Sequence, residues 1–140
     1  MNEHLTDIVE RLGTQITEQE GRDRKRAGEA QAHFLHGIEH LIIQLWKGTQ
    51  IHEGYEGGIN KRSGWYSEIE RYRQPGLTFR QTIAAYNGLQ RLGLISETRH
   101  GFLDRDTFEA DITKFVANSE LLEMLTDLKE DPLKTLTPNL

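Results

Sequence analysis

The chain has 140 residues, with 17 Lys and Arg against 22 Asp and Glu for a formal net charge of −5, and it has no cysteine. That length suits one domain with a modest core and an appendage, while the missing cysteines exclude disulfides and thiolate metal sites and fit a reducing interior. No apolar run approaches the roughly 20 residues that span a bilayer, and the N-terminus MNEHLTDIVE is acidic where a signal peptide would be basic, so a soluble, cytoplasmic protein with no membrane partner is expected.

Within Glu3 to Glu20, Leu5, Ile8, Val9, Leu12 and Ile16 recur at helical spacing and predict an amphipathic helix with one narrow apolar stripe. Gly13 costs it about 1 kcal/mol relative to alanine, and alone in water a helix of this length is marginal. The stripe therefore needs a partner surface, either a second copy of the chain, giving a homodimer, or the rest of its own domain. GRDRKR, from Gly21 to Arg26, reads as a basic connector, either a solvated hinge or a segment that touches a phosphate backbone. Ala27 to Lys47 is the longest predicted helix, with Phe34, Ile38, Leu41, Ile42 and Leu45 on one face and Leu35 and Trp46 at its margin.

His33, His36 and His40, with Glu29 one turn before, fall within about 40° of one another on that helix, opposite the apolar cluster. They are weak candidates for a surface metal site. An exposed polar face that happens to contain histidine accounts for them better, because a solvent-facing site on one helix lacks the outer groups that orient ligands. No metal or other cofactor is therefore expected. Gly48 to Ser63 carries four glycines and reads as loop. It lacks the G-K-[ST] ending of a phosphate loop, and Gly58 to Arg62 is its one stretch that suits a short strand.

Trp65 and Tyr66 head a short predicted helix, Ser67 to Arg73, which Gln74-Pro75-Gly76 ends sharply. Thr78 with Gln81 three residues on is a capping box, so the next helix should begin at Phe79. Phe79, Ile83, Tyr86 and Leu89, extended by Ala85 and Leu92, form its expected core side. Arg80, Ala84, Asn87 and Arg91 fall opposite, with Gln81 beside them. Arginine can bind guanine bidentately or hold a phosphate, amides can pair with adenine, and alanine lets the backbone approach a groove. The plain alternative is a solvated polar face. Gly93 suits the left-handed residue that closes a helix, and from Leu94 the period shifts toward 2 through LISETRHGFLDR, the first arm of a hairpin. Asp104 to Glu109 reads as its tip and Asp111 to Ala117 as the returning arm, although Phe108, Ile112 and Phe115 also fit helical spacing. Ser119 is the expected N-cap of a last helix, Glu120 to Lys129, carrying Leu121, Leu122, Leu125 and Leu128; Pro132 and Pro138 bracket a tail.

A short helix with Ile69 and Tyr72, a turn at Pro75 and Gly76, Leu77 and Ile83 packing below, and Leu89, Leu92, Gly93, Leu94 and Ile95 leading into a hairpin resemble a winged helix-turn-helix domain. The stretch RYRQPGLTFRQTIAAYNGLQRLGLI, with GFLDR and ITKFVANSELLEML after it, is also similar to the winged-helix part of plasmid-type replication initiators, over Arg71 to Leu125. The first resemblance implies a mainly α fold with a small β-hairpin (α+β), here with an added N-terminal and an added C-terminal helix. Its expected division is residues 1–26 as helix and connector, 27–130 as the winged-helix domain, and 131–140 as a flexible tail. It further implies double-stranded DNA as partner, with Arg80, Gln81, Ala84, Asn87 and Arg91 toward the major groove and Arg99, His100 and Arg105 on or near the wing. A strand near Gly58 to Arg62 that pairs with the wing would fit, as would dimerisation through a helix outside the motif.

Charge distribution agrees. From Met1 to Ile59 there are six Lys/Arg against ten Asp/Glu, from Asn60 to Arg105 eight against four, and from Asp106 to Leu140 three against eight. The basic middle coincides with the helix-turn-helix and wing, so steering toward DNA would be weak and salt-sensitive. No H-E-x-x-H, no G-x-S-x-G and no nucleophile with a recognisable base is present, and an enzyme is not expected. Transcriptional regulation or initiation of replication is the expected role; a winged-helix protein interaction module that does not bind DNA is the alternative.

Overall fold

The computed structural model of the chain describes residues 5–21, 26–51, 56–59, 79–99, 101–103, 110–111 and 113–128. In chain order these form α1 (Leu5–Gln19), α2 (Glu29–Ile51), β1 (Gly57–Ile59), α3 (Phe79–Arg91), β2 (Ile95–Arg99), β3 (Phe102–Leu103), β4 (Ala110–Asp111), β5 (Thr113–Ala117) and α4 (Ser119–Thr126). The described chain is mainly helical, with a three-stranded antiparallel sheet ordered β1-β5-β2 and a separate β3-β4 pair, an α+β arrangement. No helix among the described residues is long and apolar enough to cross a membrane.

The stripe of α1 is buried within the chain. Leu5, Ile8, Leu12 and Ile16 are fully covered and Val9 nearly so. Each such side chain contributes about 1.5–3 kcal/mol on burial, enough together to hold a helix that would be marginal alone. The surfaces that cover it are α2 and α3. Gly13 lies against Leu35, Phe34 and Ile38 of α2, and Ile16 presses so closely on Gly88 of α3 that a Cβ there would lie 2.4 Å from Ile16 Cγ2. Of the two surfaces open to this stripe, its own domain is the one that takes it; the apolar residues that prompted a homodimer through α1 are already covered. The outer side of α1 is left with Asp7, Glu10, Arg11 and Glu18.

Arg26, at the end of the basic connector, is a packing residue. Its guanidinium binds the Glu20 carboxylate at 3.0 Å, sits 3.7 Å from the centroid of the Phe34 ring, and is only 6% exposed. Residues 22–25 lie outside the described residues.

α2 begins at Glu29 rather than Ala27 and continues through Gly48 to Ile51, where loop was expected. Phe34, Ile38, Leu41, Ile42 and Leu45 are buried as their spacing requires, with Leu35 and Trp46 packed at the margin. Because α1, α3, α4 and β1 all pack on this helix, its buried arc is wider than its apolar stripe. His40 is consequently 8% exposed and buried, not on a solvent face, and His33 and His36 are half-buried. Gln44, also buried, takes both backbone groups of Gly58, accepting its N–H at 3.0 Å and donating to its C=O at 3.2 Å. That amide covers the free edge of β1, an edge that would otherwise offer unpaired groups.

The sheet closes the core from the other side. β5 runs antiparallel to β1, with Gly57 opposite Phe115 and Ile59 opposite Thr113, and antiparallel to β2, with Ile95 opposite Ala117. The returning arm is thus a strand where helical spacing competed. Phe115 is fully buried and meets Tyr86 of α3 edge to face, centroids 5.4 Å apart. The first arm is not continuous: β2 ends at Arg99, and β3 pairs separately with β4, Phe102 opposite Asp111.

α4 starts one residue earlier than expected. Asn118 is the cap residue, with no side-chain capping bond, and Ser119 is the first helical residue; the helix ends at Thr126. The Asn118 amide makes no capping bond because it is engaged elsewhere, donating to Gly93 C=O at 2.8 Å and accepting from Ser96 Oγ at 2.8 Å. Leu121, Leu125 and Leu128 are buried, while Leu122 is 41% exposed. The short helix of Ser67–Arg73, its turn, Leu77, Thr78, Trp65, Tyr66 and the tail 131–140 lie outside the described residues.

Candidate nucleic-acid interface

α3 is held on three sides. Ala85, Tyr86 and Leu89 are buried together with Thr82 and Gly88. The two small residues mark crossings with neighbouring helices, Gly88 against Ile16 of α1 and Thr82 against Gly37 of α2. Ile83, expected in the core, is half-buried: the buried arc is rotated toward the small residues because helices approach closest there.

The end of α3 is closed as its sequence requires. Gly93 has φ of 75°, Leu94 N–H donates to Leu89 C=O and Gly93 N–H to Gln90 C=O, both at 3.0 Å, the bond pair of the Schellman motif. Leu94 C=O then accepts from Asn118 N–H at 2.8 Å. The helix is therefore clasped to the strand that follows it and to the cap of α4. A further tie lies across the core, where the Tyr86 hydroxyl donates to Glu97 Oε1 at 2.8 Å. Burial, then that carboxylate, pushes the phenol well above its ordinary range, so it stays a donor at any physiological pH.

The face left outside carries Arg80, Ala84, Asn87 and Arg91, which share one side of the helix as their spacing requires. Arg80 and Arg91 are exposed and Asn87 is half-exposed, while Ala84 is half-buried and packs against the core at the edge of this face. Arg91 makes one long contact, Nε to Gln19 Oε1 at 3.4 Å. No hydrogen bond or ion pair to a described residue engages Arg80 or Asn87. Gln81 is the exception among the expected residues: it is half-buried, next to the α2 crossing, and sits at the flank of this face. Arg99 is exposed on β2. His100 and Arg105 lie outside the described residues.

Acidic side chains are absent from all 13 residues of α3. Among the described acids, Asp7, Glu10 and Glu18 lie exposed on α1, Glu29 on α2 and Glu120 and Glu123 on α4, whereas Glu20 and Glu39 are partly buried. The one acid of β2, Glu97, is turned to Tyr86.

The histidine face of α2 does not gather ligands; among the described residues no group of three His, Cys, Asp or Glu is placed to hold a metal ion. Burial first, then the neighbouring His40 and His33, lower the His36 pKa below 6.5. The folded chain thus binds that proton less readily than the unfolded chain, and stability present above pH 6.5 is lost as pH falls through 6.5 toward the lower folded value. Thermal midpoints should fall on acidification across this window, and His36→Gln should flatten the fall. Glu39, whose pKa burial raises, works in the opposite sense, so an unflattened slope in the variant would assign the effect elsewhere.

Fold and site together define a mainly helical α+β domain that displays one acid-free cationic helix face beside a small antiparallel sheet. Compared with protein-family models, curated proteins and solved structures, the chain matches none.

Proposed function

We propose that the chain is a DNA-binding protein of winged-helix type, acting in transcriptional regulation or replication initiation. The observation that carries this reading is the outer face of α3: two exposed arginines, a half-exposed asparagine and an alanine on one side of a helix without a single carboxylate, in a chain with 22 acids. An ordinary solvated helix favours acids in its first turn, where they complement the macrodipole; on a helix that lies against phosphates an acid is repelled unless it pairs with a base donor. The sheet supports the same reading. A short strand after α2 that pairs with the hairpin following α3 is what winged helices often have, and β1 takes that place. α3 presents Arg80, Ala84, Asn87 and Arg91 to the major groove, and Arg99 contacts the backbone beside it.

The test is fluorescence anisotropy of labelled duplex titrated with the full chain at several salt concentrations. Wild type should bind with a steep salt dependence, and Arg80→Ala/Arg91→Ala should flatten it by about 0.9 in logarithmic slope for each phosphate that the variant no longer holds. If Arg91 instead reads a base, Arg91→Ala should cost about 1–3 kcal/mol at its preferred site. Absence of binding at low salt, or a double variant that binds like wild type, would sink the reading in favour of a protein interaction module.

A further inference from the structure

The last turns of α1 and α3 lie side by side. Where the two helices cross, Gly88 leaves Ile16 the room that any Cβ would take, and three residues further along each chain Gln19 meets Arg91. These two are the C-terminal residues of their helices. The close approach at Gly88 therefore brings a helix from the start of the chain to the edge of the outer face of α3.

The contact engages one donor of the guanidinium. Arg91 Nε–H donates to Gln19 Oε1 at 3.4 Å, and no other hydrogen bond or ion pair joins Arg91 to a described side chain. Of the five N–H groups that an arginine carries, those on Nη1 and Nη2 are left, and two of them project in parallel as a fork for a pair of acceptors. The partner is also neutral. Glu20, the next residue, is turned to Arg26, so an amide oxygen and not a carboxylate meets Arg91. A carboxylate would offset the charge that attracts a polyanion; an amide orients the guanidinium plane and leaves that charge intact. Arg80, at the other end of the face, has no partner of either kind among the described residues. A free cation suits phosphate, which fixes position without carrying sequence. A guanidinium with a set plane suits guanine, whose O6 and N7 require two donors at a fixed spacing.

We propose that Gln19 is a positioning residue for Arg91, setting its guanidinium so that the Nη1 and Nη2 edge reads a guanine in the major groove, a role that rests on the DNA-binding function proposed above. A helix outside the one that enters the groove thereby takes part in base selection.

The experiment selects a preferred duplex from a randomised pool with the full wild-type chain, then replaces each of its G·C pairs in turn by A·T. Wild type should lose about 5- to 150-fold in affinity at one such pair, the range for a bidentate contact, and Arg91→Ala should bind both duplexes alike. Gln19→Met keeps the length of the side chain and lacks the acceptor. Because Gln19 is exposed, this variant should melt with wild type and keep its salt slope, yet lower the discrimination by about 2- to 12-fold, the worth of one hydrogen bond. Gln19→Glu restores the acceptor and should restore the discrimination, while its charge weakens both duplexes equally. An unchanged discrimination in Gln19→Met would overturn the positioning role. So would an Arg91→Ala that weakens all duplexes uniformly and lowers the salt slope, the behaviour of a phosphate contact, or a Gln19→Met that melts early and weakens all duplexes alike. If wild type binds no duplex even at low salt, the DNA-binding function itself fails, and the role of Gln19 falls with it.

Discussion

Phe115→Ala should lower stability by about 3–5 kcal/mol, the usual cost of truncating a buried aromatic side chain. Its ring is fully covered, packs edge to face on Tyr86, and lies over Gly57 of the neighbouring strand. One side chain thus joins β1, β5 and α3. Against a total of about 5–15 kcal/mol for a domain, the loss is a large share, and the urea midpoint should fall accordingly with an unchanged slope. A drop below about 1 kcal/mol would mean that the site collapses onto the cavity, and that the sheet is not anchored to α3 through this ring. Because the same ring supports Tyr86, which binds Glu97, the variant should also loosen α3 against β2 and weaken any ligand that needs both.

Leu12→Ala should cost about 2–5 kcal/mol, by the same amount at every protein concentration. Leu12 is fully buried in the core shared by α1, α2 and α3, so the loss is intramolecular. A helix whose stripe were covered by a second copy would behave otherwise: its stability would rise with protomer concentration, and the variant would act mainly by shifting that dependence. Chemical denaturation at two well-separated concentrations reads the difference. A near-neutral Leu12→Ala would remove α1 from the core altogether.

The acid-free face of α3 sets the electrostatic character of the region. Two exposed helix arginines and one exposed strand arginine lie on its described surface, while α1 and α4 present acids on their outer sides. Under the DNA-binding function proposed above, a polyanion would be attracted to this strip and repelled by the acids on the outer side of α1, which limits non-specific affinity and places more of the selectivity on contacts made within the strip. Gln19, by its contact with Arg91, marks where the end of α1 borders that strip.

Much of this was legible in single stretches of chain. The apolar spacing of Leu5 to Ile16 and of Phe34 to Leu45 marks which side of each helix is buried, because a helix repeats every 3.6 residues whatever it packs against. The same periodicity places Arg80, Ala84, Asn87 and Arg91 together, and Gly93 closes the helix because a left-handed residue there depends on its immediate neighbours. What covers each surface was decided by tertiary structure. A stripe requires a partner without naming it, so burial of α1 on α2 and α3 could not be told from dimerisation. His40 and Gln44 are buried because four elements wrap α2, and Thr82 and Gly88 because helices cross at small residues. Asn118 displaces Ser119 as the cap residue while its amide binds Gly93 and Ser96, 25 and 22 residues away in sequence. A β-bulge at Thr98 shifts the register of β2 and β5; it exists only in the pairing of two strands, so one strand's sequence could place Arg99 near the hairpin but could not set it opposite Lys114.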